Sequence, residues 1–364
     1  MTGIYIHIPF CKSKCPYCDF YSFKGDEKQK DSYLRAVLFC LKGYADRKLR
    51  VDTLYFGGGT PSVFGGERIE RIIAYIREAF DLQTDAEITV ECNPSSTDET
   101  FVRSVARAGV NRISMGMQSA VDRERSVLGR PSGREDIARA VKLFTDEGIK
   151  NISLDLMLGV PHQTMESLDE SIDFILSLGV KHISAYMLKI EKGTPFSENE
   201  KALALPDEDA VADMYLHTSE RLRAEGFSHY EISNFAPEGY RSRHNTRYWK
   251  CEDYIGIGPS AHSCYGGKRF YYPRSFDDFI SGKEPVYDGE GGGKEEYIML
   301  SLRLSDGLDG KKFRERYGCS LAEEIFKKAE KYERNGLLKT DGERITLTPE
   351  GFLLSNSIIS DLLY

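Results

Sequence analysis

The chain has 364 residues, 40% of them apolar and 29% charged, with a formal net charge of −8. That length suits one large domain with a smaller one, and an acidic balance excludes a general nucleic-acid-binding surface. No apolar run reaches the roughly 18 residues of a membrane span, and the N-terminus enters a strand at once, which leaves no room for a signal or transit peptide.

The first apolar alternation, Ile4, Ile6 and Ile8, reads as a strand. Cys11, Cys15 and Cys18 follow in the loop that leaves it, in a C-x3-C-x2-C spacing. Three thiolates this close in sequence can converge on one inorganic centre. A structural zinc site needs a fourth ligand. No fourth cysteine follows at a useful distance: Phe20 stands where a C-x3-C-x2-C-x-C pattern would have one, and His7 lies on the strand. A zinc knuckle or scattered buried cysteines is the plain structural reading. A four-iron cluster with one open iron is the functional one. Cys40, Cys92, Cys251, Cys264 and Cys319 have no framework spacing, so a reducing cytosol fits best.

Short apolar runs at 5–8, 53–56, 87–91, 112–117, 152–158 and 183–188 alternate with helical patterns near 29–43, 67–80, 98–107, 134–147 and 167–178. Gly109, Gly148 and Gly179 each follow a helical pattern, as helix C-capping requires. This alternation predicts an α/β fold with a parallel sheet. Six units suit a partial (β/α)6 TIM-like barrel over residues 1–225, although an open doubly wound sheet has the same pattern. Polar residues at the strand ends favour the barrel, whose function collects at the C-terminal rim. The cysteine loop follows the first strand, Gly57, Gly58, Gly59, Thr60 and Pro61 follow the second, Glu91 ends the third, Gln118 follows the fourth and Asp155 lies in the fifth. Any one of these alone is more often a cap or a solvated loop residue; the series carries the argument. A bare glycine run is a tight turn, but three glycines also let backbone N–H groups approach a ligand. No G-K-[ST] follows, so this is not a P-loop. Arg130 reads plainly as a surface ion pair, or as a fork for a carboxylate.

Residues 226–290 are expected to close the barrel. They contain the motif HN-x-x-YW, namely His244, Asn245, Tyr248 and Trp249, then Gly256, Gly258, Pro259 and His262. An imidazole is a common axial ligand of haem iron, and Tyr248 and Trp249 offer flat apolar faces. The plain alternative is an aromatic cluster with His244 hydrogen-bonded inside it. His262 is a second candidate ligand. Gly291 to Gly293 reads as a hinge. Residues 294–364 read as a small helical, winged-helix-like C-terminal domain. It carries twelve Lys and Arg against thirteen Asp and Glu, a net of −1, so it lacks the basic face of a DNA reader and is expected to be a lid or partner surface.

The cysteine spacing resembles the signature of the radical S-adenosylmethionine (SAM) superfamily. The resemblance implies a [4Fe–4S] cluster on Cys11, Cys15 and Cys18, with SAM chelated at its open iron. The Gly57–Pro61 stretch looks like that superfamily's GGE-type motif, which contacts the methionyl amino group. With Glu91, Gln118, Arg130 and Asp155 it is similar to the branch containing oxygen-independent coproporphyrinogen III oxidase. By that analogy Tyr5, Tyr17, Gly58, Gly59, Thr60, Glu91, Gln118, Arg130 and Asp155 line one or two SAM sites. HN-x-x-YW resembles a motif of the HemW haem chaperones, the non-oxidase members of this branch, where it is associated with haem. Oxidases carry the fourth cysteine and an N-terminal extension; Phe20 and the early Tyr5 depart from both. The family commonly has a His after Leu-Gly-Arg, and this chain has Pro131. The resemblance therefore implies a cytoplasmic haem chaperone. It implies haem-accepting partners, a reductant such as flavodoxin or ferredoxin, and a peripheral contact with a membrane-bound acceptor. Coproporphyrinogen III oxidation, and another radical SAM reaction on a tetrapyrrole, stay open as alternatives.

Overall fold

The computed structural model describes all 364 residues. Six strands lie side by side in sequence order and run parallel: β1 (Thr2–Ile8), β2 (Arg50–Gly58), β3 (Asp81–Cys92), β4 (Arg112–Gln118), β5 (Asn151–Leu158) and β6 (His182–Met187). The five expected helices connect them, at Glu27–Lys42, Gly66–Ala79, Glu99–Arg107, Arg134–Asp146 and Met165–Ser177. Their ends follow from local chemistry. Asp26 accepts from the Gln29 N–H at 2.7 Å and Asp98 from the Phe101 N–H at 2.8 Å, which satisfies donors that a first helical turn leaves unpaired. Gly109, Gly148 and Gly179 have φ of +87°, +87° and +67°, the left-handed conformation of a helix stop.

Period-two alternation then sorts the strand side chains. Ile4, Ile6, Ile8, Leu54, Phe56, Ile88, Val90, Ile113, Met115, Leu154 and Leu156 share one buried core. The intervening positions are largely polar and bond to one another across the strands: Tyr55 to Glu91, Ser114 to Asp155, Ser153 to His182. The parallel strands thus carry an apolar outer layer and a polar interior, which is the frame of a site rather than a filled barrel core.

Residues 226–290 do something other than expected. They lengthen the sheet at both edges instead of joining β6 to β1. Strands β7 (Ser228–Glu231) and β8 (Asn234–Ala236) add to β6, while β9 (Tyr254–Ile257), β10 (His262–Tyr265), β11 (Lys268–Tyr271) and β12 (Val286–Glu290) continue outward from β1. Between the two sets a short helix, Arg243–Trp249, crosses the N-terminal part of the barrel. Ser242 caps it, and the Arg243 and His244 N–H groups donate to the Glu87 carboxylate at 3.0 and 2.9 Å. Arg247, 3% exposed, pairs with Asp52 of β2 and donates to the carbonyls of Met1 and Asp253.

The C-terminal unit has the sheet order β13 (Leu308–Asp309), β15 (Arg344–Leu347), β14 (Leu338–Thr340), all antiparallel, with helices Gly310–Tyr317 and Glu323–Arg334 among those around it. β13 is two residues long, too short for any periodicity to reveal. The glycine stretch before this unit is tied down: the Gly292 N–H donates to Glu296 at 2.7 Å and its carbonyl accepts from the Tyr317 hydroxyl at 2.7 Å. Phe352 packs on His229 at 5.2 Å and Arg303 over Trp249 at 4.7 Å, so barrel and C-terminal unit share one core. No helix is long and apolar enough to cross a membrane.

Arg247→Ala leaves Asp52, largely buried, with only the more distant Arg243 at 4.0 Å. The expected cost is about 3 kcal/mol, read as a lower urea midpoint, and Arg247→Met with Asp52→Leu should recover most of it.

Candidate functional site

The cysteine loop is closed at its base before any cofactor is considered. The Cys11 N–H donates to Phe23 and the Phe23 N–H to Pro9, at 3.0 and 2.9 Å. Phe10, fully buried, stacks with Phe64 at 5.8 Å and packs edge-on against Phe23 and Phe276. The Tyr33 hydroxyl donates to the His7 carbonyl. The three thiols emerge from this base at one end of a cavity of about 390 Å³. Cys11 Sγ lies 3.3 Å from Thr60 Oγ1. Burial pushes the Cys18 thiol up, and the neighbouring Cys15 and Cys11 add to the shift, as expected where thiols crowd one spot. No side-chain group is arranged to hold a single metal ion; a multi-iron cluster needs its thiolates farther apart than one ion does.

The cavity runs from the thiols into the barrel. Gly58, Gly59 and Thr60 line it from the β2 loop, Glu91 from β3, Gln118 and Arg130 from β4 and beyond, and Asp155 from β5. These expected residues therefore converge. Tyr17 of the cysteine loop accepts from Arg130 Nη2 at 2.6 Å. Gly116, in register with Asp155, has no side chain, and a Cβ there would lie 3.0 Å from Gln118 Nε2 and 3.3 Å from Arg130 Nη1. Gln118 itself has φ +71°, an uncommon conformation for a residue other than glycine. Asn245 enters the lining from the short helix.

The charges inside are unusual. Burial, then the charge of Glu91, raises the Asp155 carboxyl to about 7, against the opposing pull of Arg130 and Arg112. Burial raises Glu91 as well, opposed by hydrogen bonds from Tyr55 and Gly58. Arg112 is 1% exposed, and its Nε and Nη1 have no hydrogen-bond partner. Two guanidinium groups, two carboxylates and three thiols around one cavity fit a zwitterionic, cationic cofactor on a thiolate-bound cluster, and the orphaned Arg112 nitrogens fit an anionic group. The sequence reading missed Arg112, Ser114, Ser184 and Tyr186, all of which line the cavity. The signal was present as the alternation Arg112, Ser114, Gly116, Gln118: a strand whose second face is polar throughout.

Four expectations are corrected by the geometry. The glycine loop does not offer its N–H groups to a ligand: Gly58 donates to Glu91 at 3.0 Å, Gly59 to Ile8 and Thr60 to Phe10, both at 2.8 Å. The loop holds the cysteine loop instead. Tyr5 does not line this cavity; it bonds His7 Nδ1 at 3.0 Å and faces a second cleft. His244 does not present a free imidazole for iron. It is fully buried, with Nδ1 2.9 Å from Thr53 Oγ1 and Nε2 2.8 Å from the Tyr248 hydroxyl. Burial, then the charges of Arg247 and Arg112, lowers it to about 3, so it stays neutral and both nitrogens stay engaged. Trp249 packs on Arg303 rather than on a cavity.

Residues 5–175 match the radical SAM superfamily and residues 295–354 the HemN C-terminal domain. The chain is 36% identical to the heme chaperone HemW of Mycobacterium tuberculosis, over 99% of this chain and 94% of that one. It is 34% identical to the heme chaperone HemW of Bacillus subtilis, over 100% and 99%. Among solved structures, coproporphyrinogen III oxidase from Escherichia coli, described as a radical SAM enzyme, superposes with a TM-score of 0.86 at 22% identity, covering 100% of this chain and 90% of that one. That likeness supports the fold.

Replacing Cys11, Cys15 or Cys18 by Ala should abolish iron binding and the visible charge-transfer absorbance, as measured on anaerobically reconstituted protein; full iron retention in all three would disprove the cluster site. Asp155 supplies a pH test. Folded, it keeps its proton up to about pH 7, whereas the unfolded chain releases it near about pH 4. Between those values the folded state binds more protons, so stability should fall as pH rises and level off above 7, by on the order of a few kcal/mol. Asp155→Asn should flatten that fall in denaturant titrations run from pH 4.5 to 8.

Proposed function

The chain belongs to the HemW family of the radical SAM superfamily, and from that premise we propose that it is a haem chaperone, one that holds a [4Fe–4S] cluster and SAM and passes haem to haem-requiring acceptors. Similarity across nearly the whole chain to proteins named heme chaperones carries the reading. Phe20 supports it against the oxidase alternative, since it stands where the oxidase pattern has a fourth cysteine.

Cys11, Cys15 and Cys18 would hold the cluster. When bound, a reduced cluster with SAM on its open iron supplies one-electron reduction of the sulfonium. This chain's own part is orientation. Arg130, fixed by Tyr17, and Arg112 with its orphaned nitrogens suit a carboxylate. Glu91, which already accepts from Tyr55 and Gly58, keeps acceptor capacity for an ammonium or hydroxyl. Asp155 offers a second acceptor whose charge depends on the occupant. Gln118 and Asn245 are amides that both donate and accept. His244, through its bond to Tyr248, would position a wall of the neighbouring cleft rather than ligate iron. Reduction by flavodoxin or ferredoxin, a cytosolic location and a peripheral contact with a membrane-bound acceptor belong to the same proposal. Eight free cysteines are consistent with a reducing compartment.

The test is anaerobic. Reconstituted protein receives hemin in one sample and coproporphyrinogen III, SAM and reductant in another. Stoichiometric haem binding, transfer to an apo haem protein and no protoporphyrinogen are the expected results. Turnover of coproporphyrinogen would make the chain an oxidase.

A further inference from the structure

Beside the cluster cavity lies a second cleft of about 350 Å³, between β1 and the strands that extend the sheet past it. Its walls are aromatic, including Tyr5, Tyr248 and Tyr254, and Arg274 stands at it beside Asp19. Tyr248 and Tyr254 meet edge-to-face at 4.5 Å. Phe20, 66% exposed, lines both this cleft and the cluster cavity, and so stands between them.

The histidines separate cleanly. The chain has seven. His7, His182, His217, His229 and His244 each engage at least one ring nitrogen in a hydrogen bond. The ring nitrogens of His162 and His262 make none, and of these two only His262 lines the cleft. His262 opens β10 and stacks on Tyr271, its cross-strand partner, at 5.2 Å and 23°. The stack fixes the ring plane while leaving the nitrogens free. Partial burial lowers its proton affinity, which favours the neutral form that ligates metals.

We propose, resting on the haem-chaperone reading, that this cleft is the haem site and that His262 is the axial ligand to haem iron. The aromatic walls take the apolar macrocycle. The cleft is open and smaller than the cluster cavity, so part of the macrocycle stays in solvent, as a cargo to be handed on requires. The HN-x-x-YW segment then acts indirectly. His244 Nε2 holds the Tyr248 hydroxyl at 2.8 Å, and Tyr248 is the wall; His244 is a positioning residue.

Hemin and metal-free protoporphyrin IX are titrated into the full, cluster-loaded chain, with His262→Ala, His262→Gly and His162→Ala alongside. His262 is exposed, so these variants should retain iron content and fold. His262→Ala should weaken hemin affinity at least tenfold and remove the histidine-ligated signature from the resonance Raman and low-temperature EPR spectra, with the metal-free porphyrin much less affected. Free imidazole should restore that signature in His262→Gly, and His162→Ala should match the parent protein. If the parent binds hemin but His262→Ala keeps the same affinity and spectrum, or the parent spectrum is that of a thiolate ligand, the ligand assignment is overturned while the chaperone reading stands. If the parent binds no hemin at all, both fall.

Discussion

The Glu91 carboxylate joins three parts of the molecule at once. One oxygen accepts from Tyr55 of the neighbouring strand at 2.7 Å, the other from the Gly58 N–H at 3.0 Å. The glycine loop so held uses its next two N–H groups to hold Ile8 and Phe10, the residues that lead into the cysteine loop. The glycines are required for this proximity: a Cβ at Gly59 would lie 2.7 Å from the Ile8 carbonyl oxygen, and one at Gly57 2.7 Å from Glu91. A buried carboxylate without partners is costly, and the Gly58 bond that stabilises Glu91 fixes the loop whose next two N–H groups hold the cluster loop.

A similar economy governs the far end of the barrel. The helix Arg243–Trp249 brings His244, Arg247 and two backbone N–H groups to Thr53, Asp52 and Glu87. Without it the buried Glu87 would lose these N–H donors and Asp52 its guanidinium partner. The helix therefore floors the cavity, contributes Asn245 to its lining and aims Tyr248 at the neighbouring cleft. One short segment sets the shape of both cavities. That accounts for the density of aromatic and hydrogen-bonding residues in it without requiring each of them to touch a ligand.

Arg112 and Asp155 place a cation and a titrating carboxyl on the wall of one cavity. Arg112 has two nitrogens without partners, and Asp155 is held near neutrality by burial and by Glu91. Neither arrangement is what packing alone would select. Both are the condition of a site whose charges are completed by an occupant, since interactions formed there gain strength from the low local dielectric.

The local pattern was legible without coordinates. Six apolar runs, helices between them, capping residues and glycine stops all act within a few residues, and β1 to β6 and their helices follow them closely. The cavity residues Glu91, Gln118 and Asp155 were legible too, because residues at the same end of parallel strands must share a rim; Arg130, past β4, came from the family resemblance alone. The sequence alone also determined the three cysteines, whose ligand spacing is a property of one loop. Other features were decided only by tertiary structure. The N–H groups of the glycine loop are engaged by distant partners, Gly58 by Glu91 and Gly59 and Thr60 by Ile8 and Phe10, about fifty residues earlier. Between the two readings of His244 the fold decides for the hydrogen-bonded one, because its partner Thr53 lies 191 residues away. For Arg112 the polar alternation of its strand marks the face it shares with Ser114 and Gln118, but only the assembled barrel shows that this face lines the cavity. The same holds for the extension, which pairs with both edges of the sheet: strand order depends on which edges have unpaired N–H and C=O groups, and that is known only when the whole sheet is assembled.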